Sequence, residues 1–127
     1  MQSQIMYIQE KDDVTALEAV IGLVEKSKTG KTLYYKGREF QSLKGVGCLA
    51  NYFEPDTGYY YWISGVRKDG NDGLYRTTVH VDQNIRTEYW TKIRGLPELS
   101  PQESFISNGK HQGGGKTPKR NRNRDNT

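Results

Sequence analysis

The groups in this sequence that could do covalent or metal chemistry are few and far apart. His80 and His111 are the only imidazoles and Cys48 is the only thiol. His80 alternates with Thr78 and Asp82, which places it on the polar face of a strand; His111 lies in a polar terminal stretch. A nucleophilic triad needs three converging groups and a structural zinc site needs four. These residues supply neither. The expectation is therefore a protein that is not an enzyme, with no catalytic residues, no metal ligands and no cofactor. The enzymatic alternative would use His80, with the glycine-rich stretch 65–73 as a lid. Cys48 sits beside Val46, Leu49 and Ala50 and reads as a buried, inert thiol.

Three patterns imitate known binding motifs. Thr29-Gly30-Lys31-Thr32 ends like a phosphate-binding loop, but that motif requires an earlier glycine where Glu25 stands, and a carboxylate there repels phosphate. A β-turn explains the residues. Gly45-Val46-Gly47-Cys48-Leu49-Ala50 fits a dinucleotide fingerprint by letter, yet neither a buried parallel strand before it nor a helix after it is legible. A Gly-rich bend is the better reading. Asp69-Gly70-Asn71-Asp72-Gly73 lacks the spacing and the closing glutamate of a calcium loop and reads as turn chemistry.

Two features do point to binding. One is a basic run over residues 26–44, with Lys26, Lys28, Lys31, Lys36, Arg38 and Lys44 opposed only by Glu39. The other is an aromatic set, Tyr34, Tyr35, Tyr52, Phe53, Tyr59, Tyr60, Tyr61 and Trp62. Successive strand residues face opposite ways, so either Tyr60 and Trp62 or Tyr59 and Tyr61 are displayed outward. Exposed aromatics beside Lys and Arg suit single-stranded nucleic acid, by stacking on bases and pairing with phosphates. The alternative is that these rings pack both sides of a small sheet.

The net charge of +4 is uneven. From Lys110 onward six cations, including Lys119, Arg120, Arg122 and Arg124, stand against one acid, Asp125; the rest of the chain holds thirteen basic and fourteen acidic residues. The terminal stretch is either a tether for an acidic partner or a solvated extension. DNA or RNA is thus the expected partner, through Lys26, Lys28, Lys31, Lys36, Arg38, Tyr60, Trp62 and the terminal cations. A protein partner recognised by the aromatics is the alternative.

The elements that position these groups follow from turn signals. Residues 5–8 suit a strand. The segment 14–24 mixes a helix-favouring Ala-Leu-Glu-Ala with strand-favouring Val20, Ile21, Leu23 and Val24; a strand over about 18–26 fits better, because Ser27-Lys28-Thr29-Gly30 is a turn and Lys31–Tyr35 resumes as a strand. A Gly37 turn, a return strand 38–43 with Phe40 inward, and strands over 49–53, 59–64 and 74–81 complete the pattern. Residues 54–58 form a Pro- and Gly-containing turn, and 65–73 a mobile loop. Asp82 is a candidate N-cap for a helix over 83–94, with Ile85, Tyr89 and Ile93 as its apolar stripe, Lys92 and Arg94 at its end and Gly95 as its stop. The fold class expected is mainly β with one C-terminal helix: a small twisted antiparallel sheet or open barrel over residues 1–104. A disordered basic tail is expected over 105–127, where residues from 107 on include no Val, Ile, Leu, Phe, Tyr or Trp.

Only 33% of the 127 residues are hydrophobic, and no run of about 18 apolar residues suggests a membrane span. The chain shows no secretory leader, and a single cysteine admits no intrachain disulfide. A reducing cytoplasm is the expected setting, with no membrane association. The residues from Ser27 to Tyr35, then Gly37, Phe40 to Gly45, Ala50-Asn51-Tyr52, Thr57-Gly58, Tyr61 to Gly65 and Glu88 to Thr91 resemble a family of small uncharacterised bacterial proteins. The likeness spans about residues 18–98. Some members carry the label deoxyxylulose-phosphate synthase, which names a large thiamine-dependent enzyme that a chain of 127 residues cannot form. The resemblance implies a bacterial-type domain and supplies no site residues.

Overall fold

The computed structural model describes residues 2–12, 18–43 and 50–110. Six strands form a closed antiparallel meander: β1 (Gln2–Glu10), β2 (Glu18–Lys26), β3 (Thr32–Tyr35), β4 (Arg38–Ser42), β5 (Tyr52–Phe53) and β6 (Tyr60–Gly65). Each pairs with the next, and β6 returns to β1 with Ile8 opposite Ile63. The barrel is closed rather than open. Closure leaves no unpaired edge among these six strands.

Side-chain alternation divides the core. Met6, Ile8, Val24, Leu33, Tyr35, Phe40, Tyr61 and Ile63 fill the barrel, while Ile5, Tyr7, Ala19 and Ile21 of the same β1 and β2 point outward. That outer face is covered by a second layer. β7 (Thr77–Val81) pairs parallel to the first half of β2, and β8 (Ser104–Ser107) pairs antiparallel to β7. Over them packs a helical segment, 83–93, built of a 3-10 turn (Gln83–Ile85), an α turn (Arg86–Glu88) and a π turn (Tyr89–Ile93). The two-sided burial explains why β1 and β2 read as continuous apolar runs rather than alternating ones.

Several expectations are corrected here. The helix lies mid-chain, because β8 follows it. β8 was illegible as a strand because it is short and flanked by polar residues, yet Phe105 sits edge-on to Trp90 at 5.4 Å and Ser107 is buried. A boundary between 104 and 105 cuts through this strand, and ordered pairing continues to Lys110, whose N–H donates to the Gly73 carbonyl. The stripe of Ile85 and Tyr89 does face the core. Asp82, however, makes no side-chain capping hydrogen bond; its carboxylate is occupied elsewhere. The 65–73 loop is not loosely held: Gly70, Asp72 and Gly73 are buried, and Arg94 donates to the Lys68 carbonyl at 3.0 Å. Arg94 also lies over the rings of Trp90 and Phe105, at 5.1 and 4.9 Å.

The hairpin turns use the residues the sequence offered. Lys36 and Gly37 both take positive φ, 50° and 79°, which is the tight hairpin geometry that matches strand twist. Cys48, Lys44, Leu49, His111 and the terminal cations Lys119, Arg120, Arg122 and Arg124 lie outside the described residues.

Candidate functional site

The edge of β2 is shared, and this determines the local geometry. Its end, Glu25 and Lys26, pairs with β3, while its beginning, Glu18 to Ile21, pairs with β7. β3 and β7 diverge around Gly22. Asp82, just after β7, turns into the gap, where it accepts a hydrogen bond from the Tyr35 hydroxyl and pairs with Lys36 Nζ at 3.2 Å. Burial, then the Asp82 carboxylate, pushes the Tyr35 phenol well above its ordinary range. A Cβ on Gly22 would meet both Asp82 Oδ2 and the Tyr35 ring at 2.5 Å. Gly22→Ala should therefore cost about 1–3 kcal/mol by overpacking and lower the Tyr35 phenol pKa. Urea melts and an ultraviolet-monitored tyrosine titration would show both; unchanged curves would mean that the seam relaxes without cost.

Beside this seam the barrel mouth opens into a cleft of about 250 Å³. Ile8, Ala19 and Val20 line it, with Tyr35 and Tyr61 as aromatic walls and Glu10, Glu18, Arg38 and His80 as its polar groups. His80 Nε2 lies 3.1 Å from Glu18 Oε1. Arg38 is held from within: its Nε and a terminal nitrogen donate to the two Glu54 oxygens at 3.0 and 2.8 Å, and it also contacts the Tyr61 hydroxyl. Glu54 is only 4% exposed. The Arg38 guanidinium holds its carboxyl below the usual carboxylate range against the opposing effect of burial.

The residues expected to bind nucleic acid fall into three places. Lys26, Lys28 and Lys31 gather at the β2–β3 hairpin, at the end of the barrel opposite the mouth. Among the described residues none of these three lysines has an ion pair with a carboxylate; Lys26 Nζ donates to the Gln4 side chain at 2.9 Å. Lys36 and Arg38 lie at the mouth, each matched to a carboxylate. Tyr60 is outward and 50% exposed, across from Phe53 on β5, whereas Tyr61 points into the barrel. Trp62 is half-buried against the outer layer, with Lys110 Nζ 5.6 Å above its ring. The described part of the basic run expected over residues 26–44 is thus divided between two ends of the barrel, because β3 carries one turn at each of its ends.

No protein-family model, curated protein or solved structure matches this chain.

The two ends differ in charge. At the mouth, Glu10, Asp12, Glu18, Glu54, Asp56 and Asp82 outnumber Lys11, Lys36 and Arg38. The β2–β3 hairpin itself carries Lys26, Lys28 and Lys31 against Glu25. The 65–73 loop does not line the cleft beside His80; Gly73 instead abuts the Tyr7 hydroxyl on the outer face of β1. Its position is that of a strut rather than a lid. Among the described residues no three His, Cys, Asp or Glu side chains gather as a metal site, and no helix is long and apolar enough to cross a membrane. Sequence reasoning missed the acidic mouth because Glu10, Glu18, Glu54 and Asp82 are far apart in the chain. The available signal was Glu54 beside Pro55, directly before an aromatic strand.

Proposed function

We propose that this chain is a binding module that takes nucleic acid at the β2–β3 end of the barrel, aided by its C-terminal cations. One observation carries the reading: Lys26, Lys28 and Lys31 cluster on one hairpin without carboxylate partners among the described residues, while Glu10, Asp12, Glu18, Glu54, Asp56 and Asp82 lie towards the far end. A polyanion approaching this dipolar barrel is steered to the lysine end and repelled by the mouth. The interface differs from the one expected from sequence, since Lys36 and Arg38 are neutralised and face away from it. Tyr60 and Trp62 do not join the three lysines, so stacking contributes less than phosphate contact.

Titration of labelled single- and double-stranded DNA and RNA against salt tests this reading. Replacing Lys26, Lys28 and Lys31 together by Gln should flatten the log–log salt dependence by about two units, at ~0.7–0.9 per phosphate contact. Lys36→Gln should leave the slope unchanged. No binding at ~50 mM salt, or a triple variant that binds like the parent chain, would remove the proposal. A protein partner is the second reading. It is favoured by Tyr59 and Tyr60, both exposed on the β5–β6 hairpin and remote from the lysines.

A further inference from the structure

We propose that the barrel mouth is a second, separate binding site, for a primary ammonium carried on a short aliphatic stem. The site does not depend on the nucleic-acid reading, because it lies at the opposite end of the barrel. Its volume of about 250 Å³ accommodates roughly eight water-sized groups, at ~30 Å³ each. That suits a small amine and excludes a folded partner from the interior.

The lining chooses the sign of the ligand. Arg38 faces the cleft, but its charge is matched by the bidentate contact to Glu54. Lys36 is matched by Asp82. Glu18 has only the His80 imidazole. Among the described residues the half-buried Glu10 side chain has no hydrogen-bond or ion-pair partner. With Glu10, Glu18, Glu54 and Asp82 against Arg38 and Lys36, the groups lining the cleft and their ion-pair partners carry a formal surplus of two negative charges.

The lining also chooses the stem. Ile8 and Val20 give an apolar floor directly beside Glu10 and Glu18, and the Tyr35 and Tyr61 rings wall it. A hydrated inorganic cation gains nothing from such a floor, whereas an alkyl chain buries area against it at roughly 25 cal/mol per Å². The ammonium then donates to Glu10 and Glu18 as charge-assisted hydrogen bonds.

Three probes with one stem and different heads test the site: butylammonium, n-butanol and butyrate, each followed by amide chemical shifts in an NMR titration. Butylammonium should produce saturable shifts confined to residues 8, 18–20 and 80, while n-butanol and butyrate should not. Glu10→Gln and Glu18→Gln should each weaken butylammonium by at least about tenfold, the loss of one hydrogen bond to a charged group. Glu98→Gln, in the remote 3-10 turn Pro97–Leu99, should leave the affinity unchanged. Butyrate binding in the mouth would assign the site to Arg38 and overturn the proposal. Equal binding of all three probes, or a folded Glu10→Gln/Glu18→Gln chain with undiminished affinity, would overturn it too. Loss of nucleic-acid binding in the lysine variants would not bear on this outcome.

Discussion

Replacing Arg38 by Met should destabilise the protein by roughly 2–3 kcal/mol at neutral pH, with a fall in Tm on the order of 10 °C. The reason is what the substitution leaves behind. Glu54 is 4% exposed and is ionised because two Arg38 nitrogens meet its two oxygens. Without them the carboxylate keeps only the Thr57 hydroxyl, at 3.2 Å, and Tyr61. Breaking a buried pair by removing one partner usually costs ~3–5 kcal/mol; the outer part of Arg38 is in solvent, so the lower figure applies. In the parent chain the Glu54 carboxyl is held below its ordinary value, so its contribution is present above the unfolded pKa and is lost as pH falls through the folded one. In the variant that holding contact is gone and burial works the other way, so the penalty should shrink as pH drops towards 4. Adding Glu54→Gln to the Arg38→Met background should restore most of the lost stability at pH 7. A deficit of the same size at pH 4 and pH 7, or no rescue by the second substitution, would show that packing over Phe40 and Tyr61, and not the stranded charge, sets the cost.

The strands were legible where local chemistry was strong. Turn residues bounded β2, β3, β4 and β6, and Phe40 could be placed inward, whereas the strand period alone left open whether Tyr61 or Tyr60 faces the barrel, a choice the fold makes for Tyr61. Closure was not legible. It depends on β1 meeting β6 across some fifty residues, with Gln9 opposite Trp62 and Ile8 opposite Ile63, and register between distant strands leaves no local signal. β8 was hidden for a related reason: Phe105 gains its burial only against Tyr89, Trp90 and Arg94, which arrive from the helical segment.

The candidate sites show the same division. The basic run was visible as composition, but its splitting between two barrel ends follows from the length of β3. The four residues of β3 carry the chain from Lys31 at one end to Lys36 at the other, five steps or about 16 Å at ~3.3 Å per residue. A linear run of cations on a meander therefore alternates between ends instead of forming one patch. Asp82 looked like a helix cap because its neighbours fit one, but its carboxylate makes tertiary contacts with Tyr35 and Lys36. A local propensity loses to a partner that only the fold supplies.

Asp72→Asn should change the pH dependence of stability more than its value at any one pH. Asp72 is 1% exposed; Oδ1 accepts the Arg67 N–H at 2.6 Å, and Oδ2 is buried with no hydrogen-bond partner among the described residues. Burial pushes its pKa up to about 6 from an ordinary 3.8, with the Arg67 N–H and the Arg94 charge opposing. A raised carboxyl pKa means that the folded state holds the proton more tightly than the unfolded chain. The parent protein is thus favoured below pH ~4, and loses this advantage as pH rises through 4 to 6, because the unfolded chain ionises first. At ~1.4 kcal/mol per unit the loss approaches 3 kcal/mol. The asparagine side chain keeps an acceptor for the Arg67 N–H and has no proton to lose. Measured from pH 4 to pH 8, the variant should gain about 2–3 kcal/mol relative to the parent, on the order of 10 °C in Tm, with most of the change between pH 4 and 6. Other titrating groups, Glu54 among them, are common to both chains and cancel in the difference. A flat difference across that range would mean that Asp72 is ionised in the folded protein at a cost no greater than in water, and that its second oxygen has found a partner such as a bound water molecule.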